Sequence, residues 1–241
     1  MKYFRLAALA LLAPCAASAN FTEDIRAGGG AVIPSIGMSI DVVGNSTLQN
    51  HTASSHAIDI GFSYARAKRK QELETRDGPI IFGGQTFVGR QDITYTSNIQ
   101  LAHVGYRPRY WFGRSNFALE GVIGLGWAGL GLKAEGALQT ASERMSNGGI
   151  VLGLGGIWRF APTTSLQVRF LGFGSGKKEG VSGASRSDVT LAHALAKNVQ
   201  VRAGLGVLSA TSSREDADSG IRKSPIHAAG GGLLLGLDFV F

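Results

Sequence analysis

The sequence predicts an all-β chain folded as an antiparallel transmembrane β-barrel, with eight strands as the leading count and ten as the alternative. Apolar residues alternate with polar or small residues through segment after segment, as in strands that have one face against lipid. Glycine is abundant, with 35 among 241 residues, which disfavours helices and suits strands that curve around a narrow interior. The longest apolar run, 121–132, is too short for a membrane helix, which needs roughly 20 residues.

The segment 231–241 at the C-terminus shows the alternation most clearly. Its apolar face carries leucine and phenylalanine and ends on Phe241, whereas the opposite face carries glycines and Asp238. A charged group among small residues on one face, with large apolar groups on the other, is typical of a strand between lipid and a polar interior. The alternative interpretation is an edge strand of a soluble sandwich.

Further strands are predicted by the same alternation along the chain. The strand segments begin at residue 57 and are counted as eight, the least regular being 98–112 and 187–195. The connections 112–116, 160–164 and 194–198 are short, whereas 133–148, 174–184 and 209–230 are longer and polar. Short and long connections alternate, which predicts short periplasmic turns and longer extracellular loops. Aromatic residues near the short turns predict a girdle at that end: Tyr110, Trp111, Phe112, Phe117, Trp158, Phe160, Phe239 and Phe241.

The segment 20–55 leaves the strand count open. Ile36, Met38 and Ile40 alternate with small or polar residues, so a strand is predicted there. The stretch 25–33 is a candidate hairpin partner across Pro34 and Ser35, which would bring the barrel to ten strands. Otherwise the segment lies in the interior or the periplasm, and the barrel proper spans residues 56–241.

The N-terminus predicts export. Lys2 and Arg5 precede an apolar stretch and the small residues 17–19, the pattern of a secretory signal peptide over 1–19. A lipoprotein signal ending at Cys15 is the alternative, although the proline before this cysteine departs from that pattern. Removal of the signal peptide would take away the single cysteine, and with it any disulfide, and would lower the formal net charge from +7 to about +5.

Together these features resemble small bacterial outer-membrane β-barrel proteins of the porin-like and opacity-like superfamily. The resemblance covers most of the mature chain, but its motifs are those of architecture rather than of one subfamily. It implies a bacterial outer-membrane location, lipid and lipopolysaccharide as surroundings, and contact with the outer-membrane assembly machinery. Phe239 and Phe241 correspond to the terminal aromatic signal that this machinery reads.

Charged residues at inward positions predict a polar network in the interior. The predicted members are Asp59, His103, Arg107, Arg109, Glu120, Arg159, Arg169, Arg202 and Asp238. Glu120 is expected opposite Arg107 or Arg109, and Asp238 beside Arg202. A salt-bridged plug of a closed barrel is favoured, because the interior of a small barrel is just wide enough for side chains to fill. The alternative is a narrow anion-favouring pore.

A basic group follows the first counted strand and is interpreted as part of a loop. Arg66, Lys68, Arg69 and Lys70 are candidates for contact with lipopolysaccharide phosphates. A solvated mixed-charge hairpin is the favoured alternative.

Catalysis is not expected. His51, His103 and His193 lack the adjacent serine pattern of lipid A deacylases, and His227 near Ser224 is interpreted as a surface residue in an exposed loop. No cofactor, metal site or nucleic-acid partner is predicted. The leading function is a structural or surface-interaction role in the envelope, with a narrow channel and then a lipid A-modifying enzyme as alternatives.

Overall fold

The structure is a computed structural model that describes residues 24–26, 31–43, 54–73, 80–82, 85–88, 90–112, 116–177, 179–215 and 222–241. The predicted signal peptide over 1–19, and Cys15 within it, lie outside the described residues. Across the described ranges, no helix is long and apolar enough to cross a membrane.

The all-β prediction is confirmed, because strands make up almost all of the described chain. In order they are β1 (Asp24–Arg26), β2 (Ala31–Val43), β3 (Ser54–Leu73), β4 (Ile80–Phe82), β5 (Gln85–Phe87), β6 (Gln91–Trp111), β7 (Phe117–Glu135), β8 (Thr140–Ala161), β9 (Thr164–Gly174), β10 (Gly180–Ala196), β11 (Val199–Glu215) and β12 (Arg222–Val240).

The main sheet closes into a ring. From β2 to β12, each strand except the β4–β5 hairpin pairs antiparallel with the next in the chain. The ring closes where β12 pairs parallel with β2, from Gly232 opposite Ala31 to Val240 opposite Ser39. Nine strands in the described residues form this ring. An odd number of strands that reverse direction at each connection brings the first and the last together in the same direction, so the closure is parallel.

The strand count differs from the predicted eight, and the main sheet reaches ten strands only when the short β1 is included. All eight strands counted from residue 57 are present, but β2 stands between the first and the last of them. The predicted hairpin across Pro34 and Ser35 is wrong, because both residues lie inside β2 and β1 also pairs parallel with β12. Pairing of β2 with β3 begins at Ser35. Pro34, which has no N–H to donate, therefore lies just outside that ladder.

The polar segments predicted as long loops are mostly strand. β7 continues to Glu135 and β8 begins at Thr140, so only four residues separate them, and β11 and β12 extend in the same way. The reason is visible in the extension of β7, where Leu132 and Ala134 are buried while Lys133 is exposed. Outward polar residues are common to an exposed loop and to a strand in water, so polarity alone does not separate the two.

The interior is filled in three layers. At the end with the short turns, Trp111, Ala118 and Ile157 are buried together. Charged side chains occupy the middle. Towards the other end lies an apolar cluster that includes the β5 residue Phe87, which is fully buried. Trp111, predicted from the sequence as a girdle residue near the short turns, is buried inside instead.

Candidate functional site

The middle layer brings the predicted charged residues to the inner face of the ring. They lie at positions of β3, β6, β7, β8, β9, β11 and β12 that alternate with exposed apolar side chains. Asp59, His103, Arg107, Arg109, Glu120, Arg169, Arg202 and Asp238 join hydrogen bonds or ion pairs of this layer. Arg159 lies nearer the short turns, where its guanidinium is 5.0 Å from the centre of the Trp111 ring.

Glu120 is the acceptor for two arginines. Arg109 is its direct partner in the β6–β7 register and donates Nη2 to Oε2 at 2.9 Å. Arg169 donates Nε to Oε1 at 2.7 Å from β9, two strands away. It reaches across β8 because Gly155 lies between the two in the register and has no side chain. A β-carbon at Gly155 would come within 3.0 Å of Glu120, so this glycine makes room for the bridge.

Asp59 joins two residues of β6. It lies opposite Gly105 in the β3–β6 register, between His103 and Arg107. Its two carboxylate oxygens take one partner each: His103 Nε2 lies 3.1 Å from Oδ2, and Arg107 Nη1 lies 3.1 Å from Oδ1. Arg107 also donates to Ser39 of β2. The three strands that follow the parallel closure are therefore joined by one set of polar contacts.

Arg202 and Asp238 pair as the strand alternation predicted. Arg202 of β11 donates Nη2 to Asp238 Oδ1 of β12 at 2.8 Å, and its Nε lies 2.6 Å from Oδ2. The contact is diagonal, since Arg202 is directly opposite Gly236. Both oxygens of the carboxylate face one guanidinium, a geometry that favours a strong ion pair.

A fourth part of the network, on β10, was not predicted from the sequence. Arg186 donates Nε to Asp188 at 2.8 Å and Nη1 to Ser63 of β3 at 2.6 Å. The sequence does contain the alternation that places Arg186 inside. Arg186, Asp188 and Thr190 occupy every second position, and the apolar Val189 and Leu191 follow Asp188 and Thr190. The predicted loop ended at residue 184 and the predicted strand began at 187, so Arg186 was assigned to neither, which hid this pattern.

Arginines outnumber carboxylates in this layer. Within the described residues, five guanidinium groups face four carboxylates. Arg107 Nε, Arg186 Nη2 and Arg202 Nη1 have no hydrogen-bond acceptor. Two small cavities, of about 30 Å³ and about 20 Å³, lie among these side chains. Each has room for roughly one or two water molecules, which would satisfy the remaining donors.

The predicted lipopolysaccharide-contact residues are in a strand rather than a loop. Arg66, Lys68, Arg69 and Lys70 lie in β3, paired with β6 from Asn98 to Thr94. Arg66 and Lys68 face outward because they alternate with the buried Ala65 and Ala67. Lys70 forms an ion pair with Asp92 at 2.6 Å.

The terminal aromatic residues lie at the ring closure. Phe239 is opposite Met38 in β2. Phe241 follows the end of β12, and its backbone donates to Ser39 at 2.9 Å and accepts from Asp41 at 2.8 Å. Its side chain is 61% exposed. The terminal residue is thus fixed through its backbone while its ring stays free on the outside.

His193 and His227 make hydrogen bonds at exposed positions, whereas His51 lies outside the described residues. His227 lies in β12, not in an exposed loop as predicted, and its Nδ1 is 2.9 Å from Thr211 Oγ1. The Nδ1 of His193 likewise lies 2.8 Å from Thr164 Oγ1. Among the residues described, no group of three or more His, Cys, Asp or Glu side chains has the arrangement of a metal site.

No family model, curated protein or solved structure matches this chain.

Proposed function

We propose that this chain is an integral outer-membrane β-barrel protein with a non-enzymatic role in envelope structure or surface interaction. One observation carries the proposal: across the middle of the ring, the polarity is reversed relative to a protein in water. In the middle layer of the described ring, five arginines and four carboxylates face inward, whereas large apolar side chains cover the outer wall. Exposed apolar surface on this scale indicates contact with something other than water.

The apolar belt extends over the ring strands and includes the closure between β12 and β2. Its members, all at least 42% exposed, include Ile36, Ile40, Val104, Tyr106, Leu119, Ile123, Leu125, Leu152, Leu154, Phe170, Leu191, Leu205, Leu233, Leu235 and Leu237. A closed sheet also pairs its edges, which meets the requirement that backbone polar groups in lipid be satisfied within the protein.

The proposed orientation places the short turns in the periplasm. Tyr110, Phe112, Phe117, Trp158, Phe160 and Phe241 are exposed at that end and form the girdle expected at a membrane interface. The opposite end carries the strand extensions and would project from the outer surface. Phe239 and Phe241 are proposed as the signal for the assembly machinery, as in the porin-like and opacity-like barrels that the sequence resembles.

Membrane fractionation followed by gel migration with and without heating tests the location. We expect the chain in the outer-membrane fraction, with faster migration before heating because a closed barrel stays compact in detergent. A soluble chain with no difference in migration would refute the proposal. Sequencing the N-terminus of the protein from the same preparation tests the signal peptide. We expect the mature protein to begin at Asn20.

The closed form is favoured over a channel, because ion pairs and an apolar cluster occupy the interior one above the other. The observation that favours a channel is the excess of arginine beside the two small cavities. Planar-bilayer recordings separate the two. We expect no steady conductance from the native protein or from the variant Arg107→Gln/Arg109→Gln/Arg202→Gln. An anion-selective conductance in the native protein that falls in the variant would establish the channel instead.

Lipid modification is the third candidate and is tested by incubating the purified protein with lipid A. We expect no hydrolysis and no acyl transfer. Turnover by the native protein that is lost in His227→Ala would overturn this expectation. His193→Ala is the control, because His193 is a second exposed histidine bonded to a threonine.

A further inference from the structure

A groove runs along the outer wall of β2, β3, β6 and β7. It has a volume of about 590 Å³, within the range of small-molecule sites. Its shape follows from one row of the register, in which Ala102 of β6 lies between Phe62 of β3 and Trp127 of β7. A small side chain between two large ones leaves a depression. The backbones of glycines 37, 61 and 126 also line it. We call this depression the outer groove.

Basic side chains lie beyond one end of the outer groove, on the strand extensions. Arg66 on β3 lies level with Asn98, Gly131 and Arg144 of the next three strands, and one row further Lys68 lies level with Lys133. All four basic residues point outward and are exposed. We call Arg66, Lys68, Lys133 and Arg144 the basic cluster.

The basic cluster keeps an excess of positive charge. Lys133 pairs with Glu135 at 2.5 Å, whereas Arg66, Lys68 and Arg144 have no ion pair within the described part of the chain. The pKa of the Glu135 carboxyl is lowered, first by the hydrogen bond and charge of Lys133 and further by the charges of Lys68 and Arg66. The charges of Arg66 and Lys68 on β3 therefore act on the same carboxylate as the charge of Lys133 on β7.

The outer groove and the basic cluster are spaced for a single molecule. Arg66 follows Ile60, which lines the outer groove, by six residues, roughly 20 Å along the strand at ~3.3 Å per residue, or about 15 Å of depth for a strand tilted by ~40°. Half of a ~30 Å hydrocarbon core is about 15 Å, the depth that one acyl chain covers. The Trp127 ring lies over Gly129, between the outer groove and the basic cluster. This is where the acyl chain of a bound lipid would meet its headgroup, a boundary at which aromatic side chains are favoured.

We propose that this wall binds one phosphorylated membrane lipid, with an acyl chain in the outer groove and its phosphate against the basic cluster. The proposal rests on the membrane location proposed above and names a lipid class for it. Charge complementarity selects the phosphate, and the apolar lining selects the chain.

Native mass spectrometry of the full chain in detergent tests the proposal, with a diacyl phosphatidic acid as the probe. Diacylglycerol with the same chains lacks only the phosphate, and inorganic phosphate lacks only the chains. We expect one phosphatidic acid per protein, binding at least about tenfold tighter than diacylglycerol, and little displacement by millimolar inorganic phosphate.

Two pairs of variants separate the parts of the site. Arg66→Gln/Lys68→Gln/Lys133→Gln should weaken phosphatidic acid binding at least about tenfold. Arg90→Gln/Lys177→Gln/Lys197→Gln removes the same charges from other exposed positions and should have less than a twofold effect. Ala102→Trp fills the outer groove and should also weaken binding, whereas Ala203→Trp on the outer face of β11 should not.

Each contrary result has a distinct meaning. Equal loss in the two triple variants would show attraction by general surface charge and would overturn the proposal. Displacement by inorganic phosphate, together with full binding in Ala102→Trp, would show an anion site only and would also overturn it. If the first triple variant lacks the compact unheated form, Lys68→Gln and Lys197→Gln are compared instead. A membrane-inserted protein without lipid selectivity refutes this inference alone, whereas a soluble protein refutes both proposals.

Discussion

The carboxylate of Asp238 occupies the space beside Gly37 in which a β-carbon would otherwise stand. The two residues face each other in the parallel register that closes the ring, and a β-carbon at Gly37 would collide with Asp238 Oδ1. The ion pair between Arg202 and Asp238 therefore depends on a residue without a side chain on the strand across the closure.

Replacing Gly37 with alanine should displace Asp238 and weaken its bond to Arg202. We expect a loss of stability of about 1–3 kcal/mol, the usual range for overpacking a filled interior, measured as denaturant unfolding in detergent micelles. Gly174→Ala is the matched control, because nothing lies within 4 Å of a β-carbon there. Equal stability of the two variants would contradict this role for Gly37.

Glu120→Gln should destabilise the protein more than any loss of a surface carboxylate. It leaves the charges of Arg109 and Arg169 without their acceptor inside the ring, and breaking a buried pair in this way costs about 3–5 kcal/mol. The measurement is the urea midpoint of unfolding. Glu135→Gln removes the partner of the exposed Lys133 and should leave the midpoint unchanged. A Glu120→Gln midpoint equal to that of Glu135→Gln would show that the network is not needed for stability.

Two cysteines introduced on either side of the closure should form a disulfide. Ile36 and Leu237 are register partners, so their α-carbons are about 4.8 Å apart, within the range for a disulfide. A double variant Ile36→Cys/Leu237→Cys should give an oxidised species that migrates differently on a non-reducing gel. The pair Ile36→Cys/Leu233→Cys is displaced by four residues and should stay reduced. Cross-linking of the second pair alone would show a different closure.

Phe87→Ala should loosen the β4–β5 hairpin. Phe87 is fully buried among the apolar residues at that end, whereas the neighbouring Val88 is 61% exposed. Loss of a buried phenylalanine costs about 3–5 kcal/mol, and Phe87 is the one buried residue of β5. Limited proteolysis should therefore cut within 80–87 faster in Phe87→Ala than in the native protein. Val88→Ala should be cut at the native rate, and a similar rate in both variants would argue against this anchor.

Phe241→Ala should reduce insertion without destabilising the inserted protein. The backbone of residue 241 bonds to Ser39 and Asp41, and these bonds survive the substitution, whereas the exposed ring is lost. We expect less protein in the outer-membrane fraction, with an unchanged unfolding midpoint for the part that inserts. Phe241→Tyr keeps an aromatic ring and should insert normally. Normal insertion of Phe241→Ala would remove this residue from the proposed assembly signal.

Alternation along single strands was enough to predict which side chains face inward. Arg202 and Asp238 illustrate this, because their inward positions follow from the apolar residues on either side of each. Arg186 shows the limit, since it lies in a stretch whose polar outward residues look like a loop. The ends of β7, β8, β11 and β12 were misjudged for the same reason. A strand that extends into water carries the same outward polar residues as a loop.

The sequence by itself determined the all-β class, the inward and outward faces of most strands, and the two ends marked by short turns, because these follow from a period of two and from local turn residues. Only the tertiary structure decided how the ring closes and which charges meet. Parallel pairing of β2 with β12 joins segments almost two hundred residues apart, and no local pattern records a partner at that distance. The bridge from Arg169 to Glu120 likewise depends on Gly155 in the strand between them, so it exists only once three strands are in register.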